Sequence, residues 1–195
     1  MTWRQRALDV LIVGLAGFGV GVLDSLIKGQ GNGLLGALSE TVVPWFLLAF
    51  LAGAVAKDRR YSFGAVAGIV ATMMALAGFY FVNSLIFSYW STTVLSGFQE
   101  QLLSGKVYFA LGILSGALCG AFGAWWKQHL SLGPVIALGV AFVLEAMVRA
   151  AFKNSLFGYA DQVAVIEFIV GALWVALALV ATLELRHRHD LRRVT

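Results

Sequence analysis

Residues 62–83 read SFGAVAGIVATMMALAGFYFVN, a stretch without a single charged side chain. A helix rises about 1.5 Å per residue, and the hydrocarbon of a bilayer is about 30 Å thick, so a run of this length crosses it. Apolar residues stand on every face rather than alternating, the pattern of a helix dissolved in lipid and not of a strand. Working outward, similar runs occur at 7–27, 39–56, 105–126, 132–152 and 162–185. The chain therefore reads as an all-α polytopic membrane protein, a six-helix transmembrane bundle. Pro44 falls in the first turns of the second span, where a helix tolerates the missing N–H.

The composition agrees. Of 195 residues, 60% are hydrophobic and 12% charged, about half the charge of a soluble domain. Six spans and their loops use the whole length, so 1–195 reads as a single transmembrane domain. Ala7–Ile27 is a full-length span rather than a cleavable signal. The net charge of +4 does not point to nucleic acid, because the basic residues fall in short clusters between apolar runs. The single cysteine, Cys119, lies in an apolar helix and reads as a small hydrophobe.

Lysine and arginine placement sets the expected orientation. Arg4, Arg6, Lys57, Arg59, Arg60, Lys127, Arg186, Arg188, Arg192 and Arg193 fall on one side. Lys28, Lys106, Arg149 and Lys153 fall toward the other, so ten of the 14 basic residues place both termini in the cytoplasm. The expected location is a bacterial cell membrane, with lipid as the constant partner. The tail from Arg186 to Arg193 is suited to anionic headgroups. The outer connection Ser84–Ser104 carries Phe87, Tyr89, Trp90 and Phe98, as an interfacial helix would. The glycine-rich loop Lys28–Gly33 precedes leucines and reads either as a lid or as an ordinary membrane-skimming loop.

Ionisable groups inside spans are costly and mark candidate sites. Glu145 and Arg149, four apart, share a face of the fifth span, and Glu167 lies in the outer part of the sixth. Asp24 and Asn83 end the first and third spans on the same side, and Glu40 opens the second. Two readings compete. In one, Glu145 and Arg149 are a structural pair satisfied with Glu167. In the other, these residues line an outward-facing ligand pocket whose walls are Tyr80, Phe142, Phe152, Tyr159 and Trp174. A proton or ion relay is a third, weaker reading.

The glycines recur at four-residue spacing: Gly17/Gly21, Gly64/Gly68 and the stripe Gly112, Gly116, Gly120. In lipid such small faces permit close helix packing, either within the bundle or against another subunit. The second–third and fourth–fifth span pairs are weakly alike, Leu51-Ala52-Gly53 answering Leu118-Cys119-Gly120, as in an internal repeat. His187, His189 and Asp190 make poor metal ligands on a basic tail. No metal and no cofactor is expected, and the HExxH, GxSxG and phosphate-loop signatures of enzymes are missing.

The stretch Leu38-Ser39-Glu40-Thr41, then Pro44-Trp45-Phe46-Leu47-Leu48-Ala49-Phe50-Leu51-Ala52-Gly53, resembles a small bacterial membrane family of unknown function. Gly78-Phe79-Tyr80, Gly123-Ala124-Trp125-Trp126-Lys127 and Leu144-Glu145-Ala146 extend the resemblance over most of the chain. Where that family's pattern has Asn, this chain has Glu40. In size, span count and outer polar residues the chain is also similar to the substrate-binding S components of energy-coupling-factor importers. That resemblance implies capture of a micronutrient outside and docking on a transmembrane and ATPase module. S components dock through small residues of the first helix, of which Ala7, Gly14, Gly17 and Gly21 are a partial version. The expected function is small-molecule binding in the outer half of the bilayer, for uptake or sensing. Alternatives are an accessory subunit of a larger complex, which would use the glycine faces, and a lipid-processing enzyme using Glu145.

Overall fold

The computed structural model describes residues 2–29, 41–58, 60–86, 93–152 and 160–194. Its elements are the helices α1 (Trp3–Gly29), α2 (Val43–Val55), α3 (Tyr61–Ile86), α4 (Val94–Ser104), α5 (Lys106–His129), α6 (Leu132–Phe152) and α7 (Ala160–Val194). No strand occurs among the described residues. Five helices, α1, α3, α5, α6 and α7, are long and apolar enough to cross a membrane. The chain is a multi-pass membrane protein.

Helix ends depart from the apolar runs where polar caps extend them. The backbone N–H of Thr2 donates to Gln5 Oε1 at 3.0 Å and that of Gln5 to Thr2 Oγ1 at 3.4 Å. This reciprocal box starts α1 at Trp3, ahead of the first apolar run. Thr93 and Ser96 make a second box that starts α4, inside the connection expected to skim the interface. The aromatics Phe87, Tyr89 and Trp90 lie outside the described residues, as do Glu40 and most of the Lys28–Gly33 loop.

The second apolar run differs most from expectation. Thr41 and Val42 precede the helix rather than joining it, and Pro44 lies in its first two positions. The remaining 13 residues span about 20 Å, some two thirds of the hydrocarbon thickness. By itself the helix is therefore too short to cross the full hydrocarbon layer.

α3 is the hub: α1 packs on one side of it and α5 on another, while α2 lies against both α3 and α5. Small residues set these distances. A methyl at Gly17 or Gly21 would fall on the backbone of Ala71 or Ala75, and one at Gly68 on the carbonyl of Gly116. Gly64 and Gly120 face each other in the same contact, Gly112 meets Met73 and Leu76, and Gly53 of α2 meets the Gly120 carbonyl. The α6–α7 pair joins this block through α2 and α5. The joint is an apolar cluster of Val43, Phe50 and Ala54 with Val135, Leu138 and Phe142.

At one end of the bundle, polar contacts tie the elements together. Arg6 pairs with Asp58 at 2.9 Å, and Asp9 accepts from the Lys57 N–H at 3.1 Å. Lys127 Nζ donates to the Ala56 carbonyl at 2.6 Å, and Trp126 Nε1 to Thr182 Oγ1 at 3.1 Å. The start of α1, the α2–α3 turn, the end of α5 and the C-terminal half of α7 thus share one end.

Candidate functional site

Glu145, Arg149 and Glu167 assemble at the opposite end of α2. A helix starts with unbonded N–H groups, and here the accounting closes residue by residue. Val42, at the cap position, has no side-chain acceptor to offer. Its own N–H donates to Glu145 Oε1 at 2.7 Å, and the N–H of Val43 donates to Glu145 Oε2 at 2.9 Å. Pro44 has no N–H, and Trp45 N donates to the Val42 carbonyl at 3.0 Å. A carboxylate from α6 therefore caps α2. It also places a negative charge at the positive end of the helix dipole, while Lys127 places a positive charge at the other end.

Arg149 extends the cluster. Its Nη2 donates to Glu145 Oε1 and its Nε to Glu167 Oε2, each at 3.3 Å. Glu167 is 3% exposed and Arg149 7%. Around them lie Phe142 and Ala146 of α6 and Val163 and Ala164 of α7, all buried. The second oxygen of Glu167, Oε1, is buried without a hydrogen-bond partner among the described residues. Such an oxygen in an apolar setting costs about 1–3 kcal/mol, more when charged. Among the described residues the cluster holds two carboxylates to one guanidinium, and Glu167 Oε1 is the carboxylate oxygen left without a partner.

The other expected site residues lie elsewhere. Tyr80 stacks on Phe109, with centroids 5.7 Å apart, and its ring packs against Gly105. Asn83 accepts from Ser25 Oγ at 3.4 Å, and Asp24 sits beside it on α1. These three belong to the α1–α3–α5 side, and no contact joins them to Glu145 among the described residues. The residues expected to line one outer pocket thus fall in two groups, and among the described residues neither α1 nor α3 packs extensively on the α6–α7 pair. Trp174 enters the apolar joint, edge-on to Phe50 at 5.8 Å, with its Nε1 donating to the Val135 carbonyl at 3.3 Å. Phe142 joins the same cluster. Tyr159 and the Phe152 side chain lie outside the described residues.

Residues 1–193 match a family of unknown function, DUF6518. The chain belongs to the DUF6518 family. No curated protein and no solved structure matches it. The resemblance read from the Pro44–Gly53 and Leu144–Ala146 stretches thus agrees with the family found, and the Glu145 cap joins the second stretch to Val42 and Val43, just ahead of the first.

The DUF6518 chain also has an open depression of about 590 Å³ at the far end, lined by Asp58, Arg60, Tyr61, Ser62 and Gln128. There the Arg60 N–H donates to Asp58 Oδ1 at 3.1 Å. This bond, with the Arg6 and Arg60 charges, holds the Asp58 carboxyl below its usual range. Tyr61 and His129 hydrogen-bond at 2.6 Å beside it. Its acidic group is already paired with Arg6. Sequence reading missed the capping roles of Glu145 and Lys127. The signal available was the start of α2, which has no Ser, Thr, Asp or Asn at the cap position and so needs an acceptor from elsewhere.

Proposed function

We propose that this protein is a six-span bundle in a bacterial cell membrane, with both termini cytoplasmic, that binds a small molecule in its outer half for uptake or sensing. The basic clusters support the orientation, since Arg6, Lys57, Arg60 and Lys127 gather at one end and positive charge favours the cytoplasmic side. α2 counts as the sixth span, shortened where its start meets Glu145. A half-length helix ending at charged groups inside the membrane is the arrangement in which many transporters hold substrates. The observation that carries the reading is the buried Oε1 of Glu167, which has no partner among the described residues. Glu145 serves as the structural member, and Glu167 presents the ligand-facing acceptor. With no phosphate-loop motif of its own, active import draws on an ATPase-bearing partner or an ion gradient, as in an S-component-like subunit.

Native mass spectrometry of the protein in mild detergent, alongside Glu167→Gln, tests this. A discrete small-molecule adduct on the wild type that is lost in the variant is the expected result. Wild type carrying only bulk lipid, with both proteins equally stable, would overturn the binding function.

A further inference from the structure

The chemistry of the cluster narrows the class of ligand. Arg149 is the only cation among the described groups there, and it already serves both carboxylates: Nη2 to Glu145 and Nε to Glu167. An anionic ligand recognised by arginine takes the guanidinium fork, usually through two parallel N–H bonds. Here such a ligand would compete with two carboxylates already on the guanidinium, one of which, Glu145, also holds the Val42 and Val43 N–H groups. It would then stand beside two negative charges in a low-dielectric setting, where like charges repel strongly. A neutral acceptor such as a carbonyl has no better partner at Glu167, which offers an oxygen.

A ligand bearing N–H donors and positive charge meets the opposite situation. Glu167 Oε1 accepts, and the second negative charge of the cluster, which one guanidinium does not balance among the described residues, is neutralised. The residues a helical turn away along α6 and α7, Phe142, Ala146, Val163 and Ala164, are apolar and buried and suit the hydrocarbon part of an amphiphilic molecule. Building on the small-molecule reading above, we infer that the bundle recognises a ligand through an ammonium group, donated to Glu167 Oε1. That group belongs either to a soluble amine or to an aminophospholipid headgroup.

The probe set is hexylammonium, hexanoate and hexanol, which share a chain and differ in charge. Thermal unfolding of the purified full-length protein in detergent, with each probe in turn, gives the readout. Hexylammonium at a tenfold excess over its Kd should raise the Tm of the wild type by about 3–6 °C. Hexanoate and hexanol should not, and the rise should vanish in Glu167→Gln. Equal shifts for hexanoate, no shift for hexylammonium, or a shift retained in Glu167→Gln would overturn the inference. If Glu167→Gln does not fold, the comparison of the three probes on the wild type decides it alone.

Nanodiscs of phosphatidylethanolamine against phosphatidylcholine separate the two sources. Loss of the hexylammonium response only in phosphatidylethanolamine identifies the lipid headgroup as the occupant; a response in both identifies a soluble amine. An acidic adduct in native mass spectrometry would leave small-molecule binding standing and remove the ammonium inference.

Discussion

Glu145 performs three tasks with two oxygens, and that sharing makes its neighbours unequal. Removing Arg149 leaves two carboxylates facing each other in an apolar interior. Arg149→Ala should therefore cost about 3–5 kcal/mol in unfolding free energy. The two possible rescues should then differ. Arg149→Met with Glu167→Leu removes both charges, leaves the α2 cap intact, and should recover most of the loss. Arg149→Met with Glu145→Leu leaves the Val42 and Val43 donors bare and should not. Equal recovery in detergent unfolding would show that the cap contributes nothing. The pairing of Glu145 with Arg149 was legible from their spacing of four. The partnership of Glu145 with Val42 and Val43 was not, since those residues are separated by about a hundred positions and nothing in the periodicity of α6 reports what lies opposite.

Among the elements, glycine spacing was readable from sequence but the identity of each partner face was not. A stripe such as Gly112, Gly116, Gly120 has the same form whether it meets α3 or another subunit. In the structure α3 covers it, and α3 also covers Gly17 and Gly21. The small face that an S component would turn toward its module is thus occupied within this chain. Gly68→Leu should destabilise by about 2 kcal/mol or more, because the obstacle is the Gly116 backbone rather than a side chain that turns away. Gly19, which has nothing within 4 Å, makes the control: Gly19→Ala should be neutral or raise stability by up to about 1 kcal/mol. Matching losses at the two positions in thermal unfolding would refute this account of the packing.

The turn between α2 and α3 responds to acid. Asp58 has its carboxyl held low by the Arg60 N–H and the Arg6 charge. A depressed carboxylate stabilises the fold above its unfolded pKa of about 3.9, and that contribution fades as pH falls through the lower folded value. Asp58→Asn should flatten the stability profile below about pH 4 and leave its shape near neutrality unchanged. An unaltered acid limb in a pH-dependent unfolding series would contradict the role given to this turn.

For the whole molecule, apolar runs revealed the long helices, and basic clusters revealed which ends lie together. The length of α2 escaped them, because its start is set by a carboxylate on another helix. The proposed topology has a parity test. Six crossings place reporters fused to the two termini on the same side of the membrane, and five place them on opposite sides. Phosphatase and fluorescent fusions at each end should both report the cytoplasm; a split result would remove α2 from the list of spans.

α7 is one unbroken helix of 35 residues, and Glu167 lies near its N-terminal end. From that carboxylate to Val194 runs roughly 40 Å of continuous rod. A rigid rod of that length is a lever. A tilt of about 5° at the level of Glu167 moves the opposite tip by some 3–4 Å, on the order of a helix shift in known switching proteins. A tilt at the charged cluster would therefore be carried to the far end of the helix as displacement, without any intermediate part having to change its fold.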